Sequence, residues 1–217
     1  MTRLLLGILT TWCLLISRPT RAQEICGTME NLEQEIAANP ERAARLQQIE
    51  QFTQQWIAEH GHEDRAIVTI PVVFHVVWRP AAENISDAKI NAQLAQLNAD
   101  FARLNSDAGN TPAAFSGLAV DTEVRFCLAQ RDPDGKPTSG IVRRQTTVAS
   151  FGGTNRNNVK STATGGSSAW PRDSYLNFWS CSLDGTLLGF AQFPFFGCGH
   201  LLALEGFYLF HGDLARA

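Results

Sequence analysis

Twelve consecutive residues, Ile67 to Trp78 (IVTIPVVFHVVW), are apolar or aromatic except for Thr69, Pro71 and His75. No helical period runs through them, and β-branched residues dominate. Such a run is a strand buried on both faces, which requires a layer of structure above it and another below. Pro71 donates no amide proton, so it belongs near the strand start or beside an unpaired edge.

The flanking segments supply those layers. Ser86 is placed to cap a helix, with Ile85 stapling onto Ile90; Ile90, Leu94, Leu97, Phe101 and Leu104 then recur at spacings of four and three, a stripe that covers a sheet face. Thr122 to Ala129 alternates as a second strand and is closed by the turn Asp132-Pro133-Asp134-Gly135. Gly152 to Ser168 is rich in Gly, Asn, Ser and Thr and reads as an exposed loop. Tyr175 to Cys181 and Leu187 to Phe193 read as two more strands, joined at Asp184-Gly185 by a hairpin-type turn. The pattern is that of an α/β (α+β) fold, a twisted mixed sheet with a backing helix.

Ahead of this lies a different composition. Met1 to Arg3 is a short basic start, Leu4 to Ile16 an apolar stretch too short to span a bilayer, and Arg21-Ala22-Gln23 follows: a secretory signal peptide, residues 1–23. Its removal leaves 15 basic against 21 acidic residues, a net charge of −6, which suits neither nucleic acid nor an anionic membrane as partner. Export, to the periplasm or the medium, permits disulfides; Cys26, Cys127, Cys181 and Cys198 allow three pairings. Residues 24–64 are rich in Gln, Glu and Ala. Asn39-Pro40 starts a helix, Gly61 stops it, and Leu46, Ile49, Phe52 and Trp56 form a stripe that must lie on something. The segment is an arm packed on a larger domain.

Chemistry-bearing residues are sparse. His60-Gly61-His62-Glu63-Asp64 lacks a second His one helical turn after His62, where Ala66 stands, and reads as a solvated linker. His75 sits in the apolar strand as a hydrogen-bonded core residue. His200 and His211 have no suitably placed acid, and Cys198-Gly199-His200 has no orienting acid for a thiol nucleophile. Asp132 to Gly135 lacks the third acid and distal Glu of a calcium loop. Asn84-Ile85-Ser86 matches a glycosylation acceptor, although capping alone explains Ser86. Cys26 has two readings: half of a structural disulfide, or a latency ligand whose thiolate occupies the position that a zinc-bound water needs.

Three stretches together resemble the pappalysin family of metzincins: IPVVFHVVW (70–78), ISDAKINAQLAQLNADFARLN (85–105) and, most specifically, VKSTATGGSSAWPRDSYLNFWSCSLDGTLLGFAQFP (159–194). AVDTEVRFCLAQRDPDGKPTSGI (119–141) fits the same pattern. The resemblance implies a signal peptide, a helical propeptide (24–64) with a Cys-Gly motif, and the N-terminal (upper) part of a catalytic domain (65–194). It implies that Cys26 is a zinc ligand of the latent state and that the strand at 187–194 binds a peptide substrate by addition. The intact family member is a secreted zinc metalloendopeptidase whose zinc helix carries H-E-x-x-H-x-x-G-x-x-H.

That motif is absent from these 217 residues, and after Pro194 the likeness ends in FFGCGHLLALEG. The expectation is therefore a chain that binds no zinc and cleaves nothing, with no catalytic residue of its own; the alternative is a non-catalytic secreted peptide-binding module. Residues 195–217 follow no period and have two readings, a buried C-terminal helix or an aberrant, frame-shifted tail, and the abrupt end of the likeness favours the second. The DNA just past the codon for Pro194, read in the other two frames, should then encode the zinc motif; its absence from both would dispose of the frameshift.

Overall fold

The structure is a computed structural model that describes residues 25–61, 66–185, 187–193 and 208–209. The strands in chain order are β1 (Ile25–Cys26), β2 (Val68–Trp78), β3 (Val124–Leu128), β4 (Ile141–Gln145), β5 (Leu176–Ser180), β6 (Leu187–Gly189) and β7 (Tyr208–Leu209). The helices are α1 (Thr28–Ala38), α2 (Glu41–His60) and α3 (Asp87–Phe101), with short 3-10 segments between them. The residues read as a signal peptide (1–23), His62, and Cys198, His200 and His211 of the tail fall outside the described residues.

The central strand is β2, and every neighbour runs parallel to it. On one side β3 pairs with its first half, Val68 to Val72, and β4 with its second half, Phe74 to Trp78. On the other side β5 pairs with Val72 to Val76, and β7 extends the sheet from β5. The ladder to β5 begins only at Val72, so one flank of the strand is unpaired at Pro71, where the missing amide proton costs little. Val72 to Val77 are all buried, as a two-faced strand demands.

Alternation along the strand divides the core in two. Val72, Phe74 and Val76, with Leu176 and Phe178 of β5 and Phe126 of β3, meet α3 through Ile90, Leu94, Leu97 and Phe101. Phe74 and Phe178 stack at 5.1 Å, and Phe101 meets Phe126 edge-on. Val77 and Trp179 face the other way, toward Phe151, Val159, Leu183 and Phe190. Ser86 does cap α3, its Oγ accepting from Lys89 N at 3.3 Å, and Ile85 packs on the same cluster as Ile90. The Asn98 side chain exchanges two hydrogen bonds with the Phe126 backbone and so closes part of the outer edge of β3.

Several expectations are corrected. The strands at 175–181 and 187–193 do not form a hairpin: β6 pairs with β1 in a separate two-stranded sheet, parallel, and no ladder joins it to β5. Asp184 and Gly185 turn the chain away from the sheet, because the Asp184 side chain is engaged by Ser150 and packed against Gly152. Leu104 is 79% exposed, since α3 ends at Phe101 and the backbone turns at Arg103 (φ 55°), which takes the last member of the stripe off the sheet. The segment 152–168 is not a simple exposed loop. It forms 3-10 turns at Gly153–Lys160 and Thr162–Thr164 and buries Arg156, Val159 and Ser167. Strand β4 was not foreseen; Gly140 (φ 72°) lies against the Ala129 backbone and delivers the chain from β3 to the far half of β2.

The arm is helical, as expected, and Asn39 Oδ1 accepts from Glu41 N at 3.1 Å at the start of α2. Its apolar stripe is only partly covered: Leu46 and Ile49 are half-buried, but Phe52 is 59% and Trp56 43% exposed among the described residues. Amphipathic spacing marks a face able to pack, not the presence of something to pack on.

The layered core predicts a sharp contrast between two stripe positions of α3. Ile90→Ala, at a fully buried site, is expected to cost about 2–5 kcal/mol in urea unfolding, whereas Leu104→Ala should stay within about 0.5 kcal/mol.

Candidate peptide groove

The face of β6 carries the first strand of the arm. Ile25 and Cys26 pair with Leu187 and Gly189 in parallel, with a shift in register between them, and Gly27 N donates to Gly189 O at 2.8 Å. One residue on, Ala191 N donates to the Thr28 hydroxyl at 2.9 Å, so backbone pairing passes into side-chain pairing where α1 begins. Gly27 is buried. A Cβ at that position would stand 2.6 Å from Leu187 Cδ1 and 3.0 Å from an Arg156 guanidinium nitrogen, so a side chain there would displace those two side-chain ends.

Arg156 lies beneath this crossing with its side chain 3% exposed. Its Nε donates to Gly153 O at 2.9 Å, one terminal nitrogen to Gly27 O at 3.2 Å, and the other to Glu30 Oε1 at 2.9 Å. The guanidinium carbon also sits 5.5 Å from the Phe190 ring centroid. A buried cation is tolerable only with such a set of acceptors. Asn31, also buried, donates to Glu35 and extends the anchored turn of α1.

Cys26 is exposed at the end of this arm, its thiol 3.3 Å from the Thr28 hydroxyl. Hydrogen bonding from the Thr28 side chain, then from its backbone, holds the thiol below the ordinary cysteine range and favours the thiolate. Cys181 is the opposite case: burial pushes it up to about 12. Cys26, Cys127 and Cys181 are all free thiols.

A second polar cluster lies within the sheet core, on β2 and β5. His75 is wholly buried, between Ser167 and Asn177, and stacks on Trp179 at 4.8 Å. Asn177 Oδ1 also accepts from Trp170 N while Nδ2 donates to Trp170 O, which orients the amide. His75 Nε2 must then donate to Oδ1 at 3.0 Å, and Nδ1 accepts from the Ser167 hydroxyl at 2.9 Å. Both nitrogens are spent on holding the 167–170 segment to the sheet, as expected for a core histidine.

The remaining sequence candidates are not brought together. His60 stacks on Trp56 at 4.9 Å. Asp132 Oδ1 accepts from the backbone of Asp134 and Lys136, an ordinary turn. Asn84 accepts from Arg143, which also binds Asp87 and ties β4 to the start of α3. Among the described residues no group of three or more His, Cys, Asp or Glu could hold a metal ion. Arg156 was missed by sequence reasoning: its neighbours read as solvent loop, and its partners Gly27 and Glu30 lie 129 and 126 residues away.

No protein-family model matches the chain, and no curated protein does. Solved structures do. A point mutant of Tannerella forsythia promirolysin aligns with a TM-score of 0.68 and 37% identity over 87% of this chain and 61% of that one. Mature mirolysin of Tannerella forsythia in complex with a cleaved peptide aligns at 0.60 and 40% identity, over 69% of this chain and 56% of that one. Mirolysin in complex with a compound 9 aligns at 0.59 and 41% identity, over the same shares. The chain thus spans 56 to 61% of the length of the mirolysin structures it matches, and its fold is similar to the propeptide and catalytic domain of that metzincin-type metalloprotease.

The buried imidazole makes stability depend on acid. Burial lowers the His75 pKa from 6.5 to about 4, so the unfolded chain binds the proton first, and stability is full above pH 6.5 and lost as pH falls toward 4. Urea unfolding at the two pH values should differ by about 3 kcal/mol from this group, and His75→Gln should remove that part of the slope.

Proposed function

We propose that this chain is a precursor segment of a secreted zinc metalloendopeptidase of the pappalysin type: signal peptide (1–23), helical propeptide (24–64) and the upper part of the catalytic domain (65–194). One observation carries the reading. The proform of mirolysin covers 87% of this chain and the mature form 69%, and the difference matches the length of the arm from Ile25 to Gly61. The arm is then the part present in a precursor and removed from the mature enzyme.

The roles follow from the groove. In the intact protein Cys26 is the latency ligand of zinc: it is exposed, its thiolate is favoured by Thr28, and the parallel pairing on β6 fixes where it ends. A bound zinc would supply a water acidified to a pKa of about 7. The donors for that ion are not among the described residues, and the zinc motif is absent from the 217 residues, so no hydrolytic step is assigned to this chain. What its own residues do is bind peptide. The strand at 187–194 is the substrate-bearing element, and the arm pairing with its first residues illustrates the mode, strand addition. The mature mirolysin solved with a cleaved peptide supports a peptide ligand for this architecture.

The same pairing favours a second reading, a secreted peptide-binding module without catalysis. The two part company in one preparation. The purified 217-residue chain, assayed for zinc by elemental analysis and for hydrolysis of a quenched peptide library, is expected to hold far less than one zinc per chain and to cleave nothing. One zinc per chain with chelator-sensitive cleavage would overturn the account; peptide binding without zinc would favour the module.

A further inference from the structure

Among the described residues, Arg156 is the one buried cation whose acceptors come largely from the arm. Only Nε is served by its own segment, through Gly153 O; both terminal nitrogens are served by residues 27 and 30. When the arm leaves β6, the guanidinium loses a carbonyl and a carboxylate together, while the walls provided by Leu187 and Phe190 remain. Arginine presents a rigid fork of donors, and a fork flanked by apolar walls is selective for a carboxylate beside a main-chain carbonyl. A side chain where Gly27 lies would press on Leu187 Cδ1 and the guanidinium and push them aside.

We propose that Arg156 is a specificity-determining residue of the groove, forming with Leu187 and Phe190 a subsite for acidic peptide that presents a glycine carbonyl and a nearby carboxylate. Gly27 and Glu30 occupy it in cis, and acidic peptides compete with them in trans. Glu30 is itself 56% exposed, so the ion pair opens from the peptide side while Arg156 stays in place. The proposal rests on reading β6 as a peptide-bearing strand, and it holds whether or not Cys26 ever meets zinc.

The test uses the full chain with the arm displaced by Gly27→Leu, and a fluorescein-labelled synthetic peptide of residues 24–35, read by anisotropy. The peptide should bind the Gly27→Leu chain at least tenfold more tightly than the unaltered chain. The same peptide carrying Glu30→Gln should bind about tenfold more weakly, the loss of one charge-assisted hydrogen bond. Adding Arg156→Gln to the chain should make the two peptides equal. Equal binding while Arg156 is present, or a persistent difference once it is gone, would overturn the subsite. Binding of neither peptide to either chain would overturn the peptide-bearing reading of β6 and the subsite with it. Arg156→Gln removes a buried group, so hydrogen exchange of the intact chain carrying Glu30→Gln gives a second reading. The Gly27 amide, bonded to Gly189 O, should exchange about tenfold faster while Val72 to Val77 are unchanged; no change at Gly27 would sink the proposal.

Discussion

Six consecutive buried residues of β2, Val72 to Val77, are the constraint on which the other elements depend. Because the strand has apolar side chains on both faces and open hydrogen-bonding groups on both edges, it recruits everything around it. β3 and β4 share one edge, β5 takes the other, α3 covers one face and the 3-10 segment from Gly153 covers the second. A single strand thereby sets the order of the sheet, and parallel pairing throughout follows from connections that cross over the faces instead of turning back.

The β1–β6 crossing is built on that second face. Val159, Phe190 and Leu187 belong to the cluster behind Val77 and Trp179, so the wall that holds Arg156 is continuous with the core. His75 adds rigidity from below, because its two nitrogens and the Asn177 amide fasten the Ser167 to Trp170 segment to β5. A buried polar network with every member paired holds a loop in one place; the same groups unpaired would be among the costliest in the fold. The arm then rests on a surface already fixed, where Gly27 N donates to Gly189 O.

Strand β6 pairs its main chain with β1, and the Arg156 guanidinium ties that crossing to Gly27 and Glu30. Cys26 is exposed at the arm's tip with its thiol favoured as thiolate, whereas Cys181, buried and hard to ionise, is a packing residue. Two cysteines in one chain thus have opposite characters, and burial decides which is which.

Where a signal was local, the sequence was sufficient. The β2 run, the Ser86 cap, the α3 stripe through Phe101, the start of α2 at Asn39 and the turn at Asp132 each depend on neighbours within a few residues, and each is found. The glycine-rich stretch from Gly152 misled because composition reports solvent preference on average, while a single arginine can be buried there if distant acceptors meet it. The stripe on α2 misled for the converse reason: its spacing declares an apolar face, but nothing in the spacing supplies a cover. By itself the sequence determined a central two-faced strand, a capped covering helix, a helical arm and the absence of a zinc motif. Only the tertiary structure decided that β6 pairs with the arm and not with β5, and that Arg156 joins Gly27 and Glu30, because those contacts span well over a hundred residues and are selected by the shape of the whole core.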